Sequence, residues 1–338
     1  MSPGSARLLR YVSAALALGV LVFVIVTAKP GEVWDALKNV EGTRPWVVIA
    51  LNLVVVALFT ARSQLILVRM GHAVPLQVLV PASILGNVAG ALTPGGSGEI
   101  LRAAALQRSA GLRLGDAVTL VAYERVLSTY LLLLSTLACL ALSGLSTAPA
   151  AVVVAVCCLL VLLPWVCAVV VLPRLPRADQ VAGGGFVRQV LRFGLQLAAE
   201  IQVLLRNAGL LVVWSALTVV SFGVVALQFE LAAESLGVSI DLLDGWVAFG
   251  GSGVASIISL LPLGIGIGDG SIAAIIQHTG DVPFDLATAT AVLIRATVTL
   301  PLIALAVASY FYLLRFTAEA APAASNGMSE TSQEGTSS

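Results

Sequence analysis

The sequence predicts an all-α polytopic membrane protein, with about six transmembrane helices and two re-entrant helical hairpins arranged as an inverted repeat. Three observations predict it. Of 338 residues, 59% are hydrophobic and only 11% charged, and the mean hydropathy is +1.01, whereas soluble domains average about 25% charged residues. A proline- and glycine-rich break, Leu92–Arg102, interrupts one apolar stretch and is echoed by Leu261–Gly270 in another. Each break carries one carboxylate, and Glu99 and Asp269 are each followed 26 residues later by a lone arginine, Arg125 and Arg295. Lastly, most arginines fall on one side of such a layout.

A spanning helix needs about 20 apolar residues. Six stretches meet this: Leu8–Ala28, Pro45–Leu67, Leu114–Ser143, Pro149–Leu172, Ala208–Ala233 and Leu286–Leu314. Val26-Thr27-Ala28 has the small residues of a signal cleavage site, but the apolar region before it is long, so a retained anchor is expected. Val74–Gln107 and Trp246–His278 are apolar but broken near the middle. They are read as hairpins, since broken backbone at membrane depth survives only where protein or a wet cavity satisfies it. Span, hairpin and span at 45–143 then match span, hairpin and span at 208–314. Val33–Val40 and Val187–Leu205 have amphipathic spacing and read as interfacial helices, or, for the second, as a helix packed on the bundle. Residues 1–316 form one integral membrane domain, and 317–338 a disordered tail.

Arg7, Arg10, Arg62, Arg69, Arg108, Arg113, Arg174, Arg177, Arg188, Arg192, Arg206 and Arg315 all fall on one side of this layout. The positive-inside rule makes that side, and both termini, cytoplasmic in the plasma membrane. The first hairpin then enters from the cytoplasm and the second from outside, which inverts the repeat.

Composition and motifs also exclude function classes. A net charge of zero favours no nucleic-acid partner. Cys139, Cys157, Cys158 and Cys167 lie in apolar stretches with no metal-ligand spacing, and read as small hydrophobes. Two histidines, His72 and His278, make no metal motif. No hydrolase elbow, phosphate loop or Cys/His cluster appears, and no cofactor is expected. Gly264, Gly266 and Gly268 follow no strand, so they are not a dinucleotide loop. The chain therefore reads as a transporter before an enzyme, although a membrane transferase using Glu99 and Asp269 as acid–base groups, and a scaffold for cell-envelope enzymes, both stay open.

The intramembrane charges carry the site argument. Arg125 lies about 16 Å along its helix from Leu114, near the bilayer midplane, and Arg295 is about equally deep. A charge there costs at least ~2.5–3.5 kcal/mol, so it must face the interior and find a partner. Glu99 for Arg125 and Asp269 for Arg295 are the simplest partners, and Arg102 is a candidate for Glu124. Such pairs can lock each hairpin onto its following helix, or share their arginines with an anionic ligand. The break glycines allow a sharp reversal and also bare N–H groups at a half-helix N-terminus, where an anion is favoured. Gly86, Gly90 and Gly250–Gly253 read as close-packing faces.

Asn87, then Pro94, Gly98, Glu99 and Arg102, then Glu124 and Arg125 resemble the motifs of the flippase-like family related to the transmembrane region of lysylphosphatidylglycerol synthase. Pro262, Gly264, Gly266 and Asp269 resemble that family's second hairpin, and the likeness covers about residues 8–315. This chain departs from it at Gly96 and Gly268, where members often carry arginine, and in having Asp269 for a frequent Glu. The resemblance implies movement of a polar or anionic lipid between leaflets, with Asn87, Pro94, Gly98, Glu99, Arg102, Glu124, Arg125, Pro262, Gly266, Asp269 and Arg295 as substrate-binding or gating residues. The implied partner is a membrane lipid, and the chain is compatible with a homo-oligomer. Lysine transfer to lipid is not expected, because only a short tail follows the last span.

Overall fold

The computed structural model describes residues 40, 42–93, 98–143, 186–259, 264 and 266–331, with isolated positions between 163 and 174 and side chains as far as 316. The expected spans at 8–28 and 149–172, the first interfacial helix, and Pro94 and Pro262 lie outside the described residues. Those described are helical, with no strand among them. Ten α-helices follow in order: α1 Arg44–Arg69, α2 Leu76–Leu92, α3 Ile100–Ala110, α4 Leu114–Leu142, α5 Phe186–Arg206, α6 Ala208–Glu234, α7 Leu242–Ser259, α8 Ile267–Thr279, α9 Phe284–Ile294 and α10 Leu300–Thr331. A five-residue π turn, Arg295–Thr299, joins α9 to α10.

Among the described residues, four helices are long and apolar enough to cross a membrane: α1, α4, α6 and the run Phe284–Phe316. The protein is thus a helical membrane protein. α2 has 17 residues, about 25 Å at 1.5 Å per residue, short of the ~30 Å hydrocarbon core. It ends where Thr93 turns extended, and α3 follows after the break. α7 and α8 repeat this helix–break–helix form, and in both cases the two halves pack on each other.

The packing has a two-fold pattern. α1 packs on α6; α2 packs on the last helix of the second half, α10, as α7 packs on the last helix of the first, α4. α1 and α6 run in opposite directions. Arg44 at the start of α1 pairs with Glu234 at the end of α6, at 3.4 Å. Gln228 Nε2 donates to the Val48 carbonyl at 2.8 Å, and Arg62, late in α1, donates to Thr218 Oγ1 further back along α6, at 2.9 Å. Antiparallel first helices are what an inverted repeat requires.

Each half has its own core. The first gathers Leu79, Leu106, Leu120 and Tyr123 and takes in Trp214 of α6. The second gathers Phe229, Ala248, Ile276 and Leu293 and takes in Val48 of α1. Lipid is as apolar as leucine, so helices in a membrane are held by close packing and polar contacts. Glycine supplies the closeness: a Cβ on Gly245 would stand 2.6 Å from the Ala226 carbonyl oxygen, and one on Gly250 would stand 2.8 Å from Thr136 Cβ. α5 is amphipathic. Its Leu204 and Leu205 are buried in the first core while Leu191, Phe193 and Val203 are exposed, and Thr119 of α4 donates to its Glu200. The C-terminal part of α5 is thus packed on the bundle.

Arg62, expected among the cytoplasmic flanking charges, is instead wholly buried within α1. Its guanidinium lies over Phe59 at 4.0 Å and Trp214 at 5.1 Å from the ring centroids, a cation–π environment that stands in for water.

Candidate functional site

The two carboxylates occupy matching places. Glu99 immediately precedes α3, and Asp269 lies in the first turn of α8, where the helix macrodipole favours a negative charge. Each reaches across to the helix that follows. Arg125 Nη1 donates to Glu99 Oε1 at 3.1 Å, and Arg295 Nε donates to Asp269 Oδ1 at 2.5 Å. Both pairs are separated by 26 residues in the chain. Asp269 is further fixed by its other oxygen, which accepts from the Gly266 N–H at 3.1 Å. Gly266 has φ +85°, a conformation that glycine adopts without steric cost.

Packing sets where Glu99 and Arg102 point. A Cβ on Gly90 would stand 2.6 Å from Glu99 Cγ, and one on Gly86 would stand 2.4 Å from Arg102 Cβ. The small face of α2 therefore receives these two side chains from α3. Gly98 approaches α2 more closely still: its N–H donates to Thr93 Oγ1 at 2.5 Å, and a Cβ there would meet the Ala89 carbonyl oxygen at 2.1 Å.

Arg102 and Glu124 form a third pair, of a different kind. Their side chains are 4% exposed each. Ser63 Oγ donates to Glu124 Oε1 at 2.8 Å and accepts from Arg102. This cluster ties α1, α3 and α4 together in the interior. Arg125, by contrast, is 41% exposed and Arg295 21%.

Both arginines line a shared cavity. A space of about 260 Å³ lies between the two halves, and its walls include Asn87, Gly90 and Arg125 from the first half and Ser256, Gly264 and Arg295 from the second. Each arginine thus presents its guanidinium between a carboxylate partner and the cavity. Guanidinium groups grip phosphate and carboxylate through planar, bidentate hydrogen bonds, so the chamber suits an anionic group. Among the described residues, no cluster of three or more His, Cys, Asp or Glu side chains could hold a metal ion.

Of the residues singled out from sequence, Asn87, Arg125 and Arg295 line the cavity, and Glu99 and Asp269 hold two of its walls. Gly98 and Gly266 shape the break ends, while Arg102 and Glu124 are buried apart as a lock. The π turn and its neighbour Asn52 were missed. Pro301 inside an apolar run was the available signal, because an interior proline distorts a helix.

Comparison with known families gives a match. The model of the family described as Lysylphosphatidylglycerol synthase TM region matches residues 11–306. No curated protein matches the chain.

Proposed function

We propose that this chain, which belongs to the family of lysylphosphatidylglycerol synthase transmembrane regions, moves a polar or anionic lipid between the leaflets of the plasma membrane. The headgroup sits near the midplane, between Arg125 and Arg295, while the chains stay in lipid. The two helix–break–helix units act as re-entrant hairpins entering from opposite sides, within six spans and with cytoplasmic termini. One observation carries the reading: a single cavity has one arginine from each half on its wall. The antiparallel pairing of α1 with α6 adds support, since alternating access to a fixed site is the natural motion of inverted halves.

Chemically, the site would work by partner exchange. An arginine at membrane depth cannot stand alone. With no lipid bound, Glu99 and Asp269 hold the two guanidinium groups. An arriving phosphate takes up their remaining N–H donors, and the carboxylates keep the net charge of the loaded site low. No covalent step is needed.

The test is reconstitution in liposomes, following leaflet exchange of labelled phosphatidylglycerol and of a labelled neutral lipid. The double variant Arg295→Gln with Asp269→Asn removes a pair without leaving a lone charge, so it should fold. It should lose exchange of the anionic lipid. Full exchange by the folded double variant would leave the arginines as structural locks and end this reading.

A further inference from the structure

Pro301 interrupts the last membrane-crossing run, and the backbone answers in a specific way. Proline has no N–H, and its ring crowds the carbonyl four residues earlier. That carbonyl belongs to Thr297. The turn before the proline is widened: Arg295–Thr299 is π-helical, with the Leu300 N–H reaching back to the Arg295 carbonyl. Widening relieves the clash, and Pro301, having no N–H, denies the Thr297 carbonyl its usual donor four residues on. At membrane depth such a group must be satisfied from elsewhere.

Asn52 satisfies it. Its Nδ2 donates to the Thr297 carbonyl at 3.0 Å, across 245 residues of chain. Both residues are 1% exposed. Among the described residues the amide oxygen of Asn52 has no hydrogen-bond partner, so this asparagine is buried for its donor alone. The donor comes from α1, in the first half, and acts on the turn that begins with Arg295, in the second. No such turn follows Arg125. Six residues after Arg295 stands Pro301, but six after Arg125 stands Leu131, and α4 runs unbroken from Leu114 to Leu142.

We propose that Asn52 is a positioning residue for Arg295. Its bond to the Thr297 carbonyl holds the widened turn, and the turn sets the register in which Arg295 faces both Asp269 and the cavity. Without that donor the bare carbonyl forces the turn to rearrange, and the guanidinium loses its aim. This rests on the reading that Arg295 receives the lipid headgroup. It adds that the second arginine is set from the first half, and that the two arginines are not mechanically equivalent.

The decisive comparison uses Asn52→Leu with and without Pro301→Ala. Alanine at 301 restores an N–H four residues after Thr297, so it should make Asn52 dispensable. Leucine also removes the orphaned amide oxygen, which limits the effect on folding. In liposomes, Asn52→Leu should slow exchange of labelled phosphatidylglycerol by about tenfold, the scale of one buried hydrogen bond. Adding Pro301→Ala should restore most of it. A second readout needs no transport: Thr299→Cys, in a cysteine-free background, reports on the turn through its rate of labelling by a charged thiol reagent. That rate should change several-fold in Asn52→Leu and return with Pro301→Ala. If Asn52→Leu folds poorly, Asn52→Gln, which displaces the donor, should give the same order of effects.

Unchanged exchange and labelling in Asn52→Leu would overturn the proposal, as would a loss that Pro301→Ala fails to relieve. If the unaltered protein exchanges no lipid, the transport reading falls, while the labelling pair still decides whether Asn52 sets the turn.

Discussion

Replacing Glu124 with glutamine should unfold this protein far more readily than the same change at Glu99. Arg102 and Glu124 are paired with side chains only 4% exposed. Arg62 lies in the same interior, also fully buried, and among the described residues its Nε and Nη2 have no hydrogen-bond partner. Neutralising Glu124 would leave Arg102 without its paired carboxylate and remove a negative charge that acts on Arg62. Breaking a buried pair from one side costs about 3–5 kcal/mol. At about 1.4 kcal/mol per tenfold, that is a fall of roughly a hundred- to several-thousand-fold in the ratio of folded to unfolded protein. Glutamine can still accept from Ser63, so the loss measured is mainly that of charge. Glu99→Gln chiefly deprives Arg125, which is 41% exposed and can be solvated in part from the cavity; its cost should be the smaller, about 1–3 kcal/mol. Denaturation in mixed micelles, followed by circular dichroism, measures both. The reasoning fails if Glu124→Gln lies within about 1 kcal/mol of the unaltered protein, or if the two variants lose stability equally.

Other changes probe the packing and the cavity. Thr218→Val removes the acceptor that Arg62 uses at 2.9 Å, and should cost about 1–3 kcal/mol in the same denaturation assay. Gly250→Ala places a Cβ 2.8 Å from Thr136 Cβ; it should cost about 1–3 kcal/mol through overpacking of α7 on α4, and Thr136→Ala should relieve part of that. Gly268→Ala is the contrasting case. Its Cβ would stand 2.9 Å from Ser256 Oγ and 3.6 Å from Arg295 Nη2, and a hydroxyl can rotate away. Stability should hold, while lipid exchange falls because the methyl group takes up space beside the Arg295 guanidinium; unchanged exchange would show that the substrate does not use that space.

Much of the fold is legible in the sequence because its signals are local. Length and apolarity mark α1, α4, α6 and the last span to within a few residues. The breaks announce themselves through proline and glycine, and equal spacing ties each carboxylate to its arginine. Glu99 with Arg125, Asp269 with Arg295 and Arg102 with Glu124 can be expected from one rule: a charge at membrane depth needs a partner. The division of labour among the three pairs is less legible. Nothing in the spacing distinguishes the buried lock of Arg102 and Glu124 from the two pairs that open onto the cavity. That difference depends on how the halves meet.

The residues that the sequence hides are those whose partner lies in the other half. Arg62 stands near the end of an apolar stretch, where an arginine ordinarily marks the membrane boundary. It is interior because α6 runs antiparallel beside α1 and brings Thr218 and Trp214 against it. Asn52 looks like a tolerated polar residue in a span until the carbonyl freed by Pro301 is set beside it. Both contacts cross between α1 and the second half, and both come from the first. The pattern of packing is therefore two-fold while the chemistry along it is not. Arg125 sits on a continuous helix, α4, and Arg295 on a widened turn that takes a hydrogen bond from the opposite half. An inverted repeat with equal halves would offer a headgroup the same grip from both sides. On the proposed reading, with one arginine on an unbroken helix and one on a turn held through a cross-repeat bond, the second half is the side on which the grip on a headgroup would change.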